Sequence, residues 1–362
     1  MQNIRPRLRT VQWLCATLLV PALLAGLNAQ ASELPRTPGG KPDLTGTYNV
    51  ATLTPLQRPV EFGNKLLMSR EEADAIAAEV AAVKAADNEL SDPNREAPPA
   101  GGDGSAGAAG NVGGYNTFWI DNGDSAVEVD GKFRTSIITY PENGRRPAMT
   151  PDNQKRMAQY YRLFGQNTGT AWWLDQPGPG PYDHMEMRPN GERCLLSFGS
   201  TSGPPMLPAL YNNMKRIVQT DEHVMILAEM IHDARIIRLN SEHPPENIRS
   251  WMGDSIGYWE DDTLGVDTRN FRERPALSGA TQDLHVIERF TLQADGNLHY
   301  EFTVDDPSAW QEPWSGEYPW PASNDKVYEY ACHEGNYALG NIMRGARVLE
   351  QDVENVQASS GE

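Results

Sequence analysis

Residues 232–271 read HDARIIRLNSEHPPENIRSWMGDSIGYWEDDTLGVDTRNF. Three runs within it, 233–240, 255–260 and 263–268, alternate apolar and polar side chains and favour β-branched and aromatic residues, the pattern of half-buried strands. Glu260-Asp261-Asp262 supplies a tight turn between the last two. The stretch also carries two histidines, His232 and His243, together with Asp233, Arg235, Arg238, Asp254 and Trp259, a dense set of reactive groups for a plain sheet.

The pattern continues on both sides. Strands are expected near 214–220, 223–230, 284–293, 297–305 and 326–333, with turns at Thr220-Asp221-Glu222 and Ala294-Asp295-Gly296-Asn297. About eight short strands with tight turns and few crossover helices predict a mainly β fold, either an antiparallel β-barrel or a sandwich, carrying one or two peripheral helices. Upstream, 115–121, 127–129 and 133–140 read as further strands, and 44–50 as a short first one. Ser69 with Glu72 makes a capping box for an alanine-rich peripheral helix over 73–86, and Thr150 followed by Pro151 starts a second that runs to about Phe164. Residues 91–114 are glycine, proline, alanine and serine with almost nothing to bury, a flexible loop by composition, and 165–208 is irregular.

Arg5, Arg7 and Arg9, the apolar run Val11–Leu27 and Ala29-Gln30-Ala31 have the layout of a secretory signal peptide cut after Ala31. The expected organisation is therefore a signal peptide over 1–31, an N-terminal arm over 32–114, a β-rich core over 115–350 and a tail over 351–362, in a periplasmic or secreted protein. Losing residues 1–31 removes three arginines and no acid, taking the formal net charge from −18 to −21. Such a surface repels phosphate backbones and anionic lipid, which argues against nucleic-acid and membrane partners and for a small-molecule one. Cys194 and Cys332 remain. In an oxidising compartment they read as one disulfide; two buried thiols, or a nucleophilic Cys332, are the other readings.

Several blocks, PRTPGGKPDLTGTY, GERCL, MIHDARII, GDSIGYWEDDTLGVDTRNF, ERF and YEYACHEGNY, are similar to recurring blocks of a family of exported, functionally uncharacterised bacterial proteins. The resemblance implies export and a single β-rich body. It implies no reaction and no catalytic residues. Gly46-Thr47-Tyr48 and Gly257-Tyr258-Trp259 also resemble the glycine-x-tryptophan of lipocalin and calycin first strands, which by analogy only implies a calycin-like barrel.

Candidate chemistry rests on side-chain faces. Alternation puts Asp233, Arg235 and Ile237 on one face and His232, Ile236 and Arg238 on the other. It likewise separates His285, Ile287 and Arg289 from Val286, Glu288 and Phe290, and His299, Glu301 and Thr303 from Tyr300, Phe302 and Val304. His232 or His285 could act as a base, with Asp233, Glu288 or Glu301 as its carboxylate partner and Arg235 or Arg238 holding developing negative charge. Trp259, Tyr300, Trp310, Tyr330 and His333 are the expected ligand-binding groups. No metal-binding or nucleotide-binding signature is present, so no cofactor is expected. The expected function is a cofactor-independent hydrolase, lyase or isomerase acting on a small apolar or glycosidic metabolite; the alternative is a non-catalytic carrier for an apolar ligand. Catalysis needs a histidine and a carboxylate in contact inside a pocket, whereas carriage needs only a lined cavity.

Overall fold

A computed structural model describes residues 34–88, 94, 96, 120–165 and 168–360. The segment expected as a signal peptide, nearly all of the 91–114 loop and residues 115–119 lie outside these. Residues 120 and 121 are not in a strand.

Thirteen strands and three helices occur among the described residues. The N-terminal part contributes β1 (Gly46–Asn49), β2 (Leu67–Met68), α1 (Arg70–Asp87), β3 (Glu128–Val129), β4 (Lys132–Arg134), β5 (Ile138–Tyr140) and α2 (Pro151–Tyr161). Then follow β6 (Met214–Gln219), β7 (His223–Ala228), β8 (Asp233–Leu239), β9 (Asp254–Glu260), β10 (Thr263–Arg269), β11 (His285–Leu292), β12 (Leu298–Asp305) and β13 (Trp314–Trp320). The last element is α3 (Tyr337–Ser360).

Ten strands form one sheet in the order β1-β6-β7-β8-β9-β10-β11-β12-β13-β5, and β2-β4-β3 form a small second one. Beyond β13 the chain turns back to the first strand: Asn49 N–H donates to Pro321 C=O at 2.9 Å and Ser323 N–H to Thr47 C=O at 2.8 Å. The large sheet thus curls onto its own beginning. The turns work as their residues dictate. Asp261 takes a positive φ of 52° between β9 and β10, and Gly296, at 87°, turns β11 into β12 while the Asp295 carboxylate accepts the Asn297 N–H.

Both expected helix starts are present. Ser69 Oγ accepts the Glu72 N–H and Glu72 returns a carboxylate to the Ser69 N–H at 2.8 Å, a reciprocal cap of the kind that contributes about 1 kcal/mol. Thr150 Oγ1 accepts the Asn153 N–H, with Pro151 in the first turn.

Four expectations are corrected. Residues 326–333 alternate like a strand but pair with nothing and follow an irregular path. The last strand is instead β13, whose Gly316 and Pro319 disguise it. Residues 133–140 are divided between β4 and β5, which belong to different sheets. A third helix, α3, occupies the stretch expected as the end of the core and the tail. The sheet is also not wholly antiparallel, because β8 and β9 pair in parallel over Ile237–Leu239.

The core lies on the concave face. Phe290, Tyr300, Phe302, Trp314, Tyr318 and Trp320 are buried, with neighbouring ring centroids 4.8–6.4 Å apart. Each large apolar side chain of this kind contributes roughly 1.5–3 kcal/mol relative to exposure.

Candidate functional site

The concave face holds a polar network built by six successive strands. Arg235 of β8 donates to Ser255 Oγ of β9 at 2.9 Å, to Thr268 Oγ1 of β10 at 2.7 Å, and through both terminal nitrogens to the Glu288 carboxylate of β11. Tyr300 of β12 donates to Glu288 Oε1 at 2.9 Å, and its hydroxyl accepts the Met206 N–H at 2.9 Å. Tyr318 of β13 donates to the Met206 carbonyl. Arg235 is 3% exposed, and Glu288 and Tyr300 not at all, so no solute reaches them. Burial, reinforced by Glu288, pushes the Tyr300 hydroxyl far above its ordinary pKa.

The Met206 backbone that Tyr300 and Tyr318 grip belongs to residues 200–207, a buried segment packed on the concave side. Lys215 of β6 holds its other end, donating to Thr201 Oγ1 at 2.9 Å. The interior of the curled sheet, where a carrier barrel would keep a lumen, is filled by the chain itself.

The convex face carries the second cluster. His243, on the connection between the parallel strands β8 and β9, contacts Asp254 Oδ2 through Nδ1 at 2.7 Å and Asp267 Oδ1 through Nε2 at 3.1 Å. Arg238 forks onto Asp254 at 2.8 and 3.0 Å. Asp267 Oδ1 also meets His285 Nε2 at 3.1 Å, and Arg269 donates to both of its oxygens. Burial alone would raise the Asp267 pKa, but hydrogen bonds from His285 and Arg269 outweigh it and hold the carboxyl well below the usual range. Asp254 is lowered in the same way, with Arg238 and His243 outweighing burial. The reactive density of residues 232–271 is therefore largely a clamp. A crossover between parallel neighbours usually contains a helix, and here the connection 240–253 has none and is pinned to the sheet by charge.

A third group lies further along the convex face. His299 Nε2 is 3.2 Å from Glu317 Oε2, Arg134 pairs with the other Glu317 oxygen, and Glu301 lies opposite Glu317 in the β12–β13 register. One ligating atom from each of His299, Glu301 and Glu317 falls within 4.8 Å of the others.

The remaining expected site residues scatter. His232 is exposed on a kink where Ile231 and His232 take φ values of 66° and 56°, and Asp233 beside it is half-buried, which raises its carboxyl pKa. Trp259 packs at the edge of the core beneath Lys41 Nζ, 5.8 Å from its ring. Trp310 is buried edge-on to Trp314. His333 is exposed in the turn after Cys332.

Tyr330 alone among the expected ligand groups lines a cleft of about 1370 Å³. Its wall on one side is the segment 325–336, bound to the molecule by the Cys194–Cys332 disulfide. Phe198, Leu210, Tyr211, Tyr328 and Ile342 are among its apolar lining residues, and Glu192, Lys326 and Glu329 among its charged ones. Glu229, buried at the base, accepts the Tyr328 N–H at 2.9 Å and fixes the wall to the sheet. Asn336 ties the other end by donating to the Glu192 carbonyl at 2.8 Å. Burial, with Tyr211 beside it, pushes the Tyr330 hydroxyl up to about 12. None of the described residues lining this cleft is a histidine. Phe198, Leu210 and Tyr211 lie in the stretches with least local pattern, and only the pairing of the two cysteines hinted that these stretches meet.

No protein-family model, curated protein or solved structure matches this chain. Among the described residues no helix is long and apolar enough to cross a membrane.

Proposed function

We propose that the protein is an exported binding protein for a small, largely apolar molecule held in the cleft beside the disulfide. The observation that carries this reading is the cleft's lining, in which aromatic and aliphatic side chains predominate beside Glu192, Lys326 and Glu329, and in which no histidine occurs among the described residues. Acid–base catalysis needs a histidine and a carboxylate converging on bound substrate. The contacts of that kind at Asp254, Asp267 and Glu317 lie on the convex face, and Glu288 is sealed inside the core. The carrier reading is thus favoured over a hydrolase, lyase or isomerase. Export is part of the proposal and is supported by the N-terminal sequence and by the disulfide. A calycin-type relationship is proposed for the fold alone: the return of residues 321–323 to β1 supports it, and the parallel β8–β9 pair counts against it.

The test is binding of a neutral apolar fluorophore, N-phenyl-1-naphthylamine, combined with native mass spectrometry of protein taken directly from the periplasm. Saturable binding that is lost in Ala338→Trp, which fills the cleft from α3, and weakened several-fold in Tyr330→Ala is the expected result. Binding unaffected by both substitutions, or no binding with an empty native spectrum, overturns the proposal.

A further inference from the structure

We propose that His299, Glu301 and Glu317 bind one divalent first-row metal ion, zinc or manganese, on the convex face of the sheet. The site is separate from the apolar cleft and does not depend on it. The strand register creates it. Glu301 sits directly opposite Glu317 on adjacent antiparallel strands, and His299, two residues from Glu301, projects from the same face.

The spacing fits coordination. His299 Nε2 and Glu317 Oε2 are 3.2 Å apart, the separation of two ligands each about 2.1 Å from a shared ion at an angle near 100°. Glu301 needs only a rotamer adjustment, since its oxygen is already within 4.8 Å of the other two ligand atoms. Arg134 engages the Glu317 oxygen that faces away from His299, and Arg289 approaches Glu301 at 4.0 Å. Each carboxylate therefore keeps an oxygen for the ion while an arginine orients it, as outer partners do around ligating carboxylates.

Access fits as well. The His299, Glu301 and Glu317 side chains are 23%, 43% and 21% exposed, open enough to take an ion from solvent and covered enough to hold a geometry. His299 also lines a cavity of about 850 Å³ between α1 and the sheet, which gives its imidazole a path to solvent. One imidazole and two carboxylates suit zinc or manganese; calcium, which takes six to eight oxygens, is poorly served. The competing account is a plain His–Glu–Arg ion-pair group, which takes up no metal.

Isothermal titration of chelator-treated protein with zinc chloride, and separately with manganese chloride, decides between them. One ion per chain is expected, with affinity at least about ten-fold weaker in both His299→Ala and Glu301→Gln and unchanged in Asp267→Asn, which alters the other convex cluster. Circular dichroism checks that each variant folds, and the isosteric Glu301→Gln keeps the test sharp if His299→Ala does not. Absence of saturable uptake, or uptake that survives both ligand substitutions, overturns the site.

Discussion

Lys215 lies wholly out of water with Thr201 Oγ1 as its hydrogen-bond partner. Burial lowers its pKa to about 7, against a smaller upward pull from Glu229. Between about pH 7 and 10 the unfolded chain holds a proton on this lysine that the native state has released, so native stability rises with pH across that window. The Lys215→Met variant lacks this dependence. Its unfolding free energy relative to wild type should therefore be most favourable at pH 7 and fall toward pH 10, by up to about 1.4 kcal/mol per pH unit in urea titrations. A constant difference would show that Lys215 is charged throughout. For the Arg235–Glu288 pair, Glu288→Ala strands a buried guanidinium and should cost about 3–5 kcal/mol, whereas replacing both partners by Met and Leu should cost much less. A double-mutant cycle in guanidinium chloride measures this. Alternation made the two faces of β11 legible, because a period of two is a property of the extended backbone. Which face points inward was not legible, since both carry charge, and Glu288 is inside only because Arg235, three strands away in the sheet, meets it there.

At the level of elements, the clamp over the β8–β9 connection sets a second pH dependence of opposite origin. Asp254 and Asp267 titrate in the native state below their unfolded value of about 3.9. Their contribution is complete above about pH 4 and is lost as pH falls from there toward the lower native values. Asp267→Asn should lower stability by about 1–3 kcal/mol at pH 7, and its gap to wild type should close below pH 4 in denaturant titrations. A gap of the same size at pH 3 and pH 7 would rule the clamp out as an electrostatic one. Most strands of the meander were readable from local pattern, and the two failures have physical causes. The run Tyr328-Glu329-Tyr330-Ala331-Cys332 alternates but has no strand to pair with, and alternation alone does not make a ladder. In β13 the Glu317 N–H donates to Ile137 on the β5 side, so the missing N–H of Pro319 faces the same way, beyond the end of β5. Proline costs no ladder bond there. The α3 helix holds two glycines, Gly340 and Gly345, and owes its place to contacts remote in sequence: Ala346, Leu349 and Val353 against Trp172, Trp173 and Tyr182, and the Trp173 indole donating to Glu350 at 2.8 Å.

For the molecule as a whole, the disulfide closes a separation of 138 residues. Its removal in a Cys194→Ser, Cys332→Ser variant should cost about 4–5 kcal/mol in the chain-entropy account. If the wall of the cleft depends on that link, fluorophore affinity should fall in the same variant under conditions where circular dichroism still reports a folded sheet; unchanged affinity would leave the wall anchored by Glu229 and Asn336 alone. Mainly β architecture and the pairing of the cysteines were within reach of the sequence because both follow from local pattern and small-number chemistry. The cleft was not, because residues from the irregular 191–212 stretch, the unpaired 325–336 segment and α3 meet only in the folded chain. The plugged interior has a kinetic consequence. With residues 200–207 gripped by Lys215, Tyr300 and Tyr318, nothing can be loaded through the mouth of the curl as into a cup. If the cleft holds a ligand as proposed, exchange would run sideways, past the disulfide-held wall and the first turns of α3, and residence times should follow the breathing of that helix and be indifferent to how firmly the strands are paired.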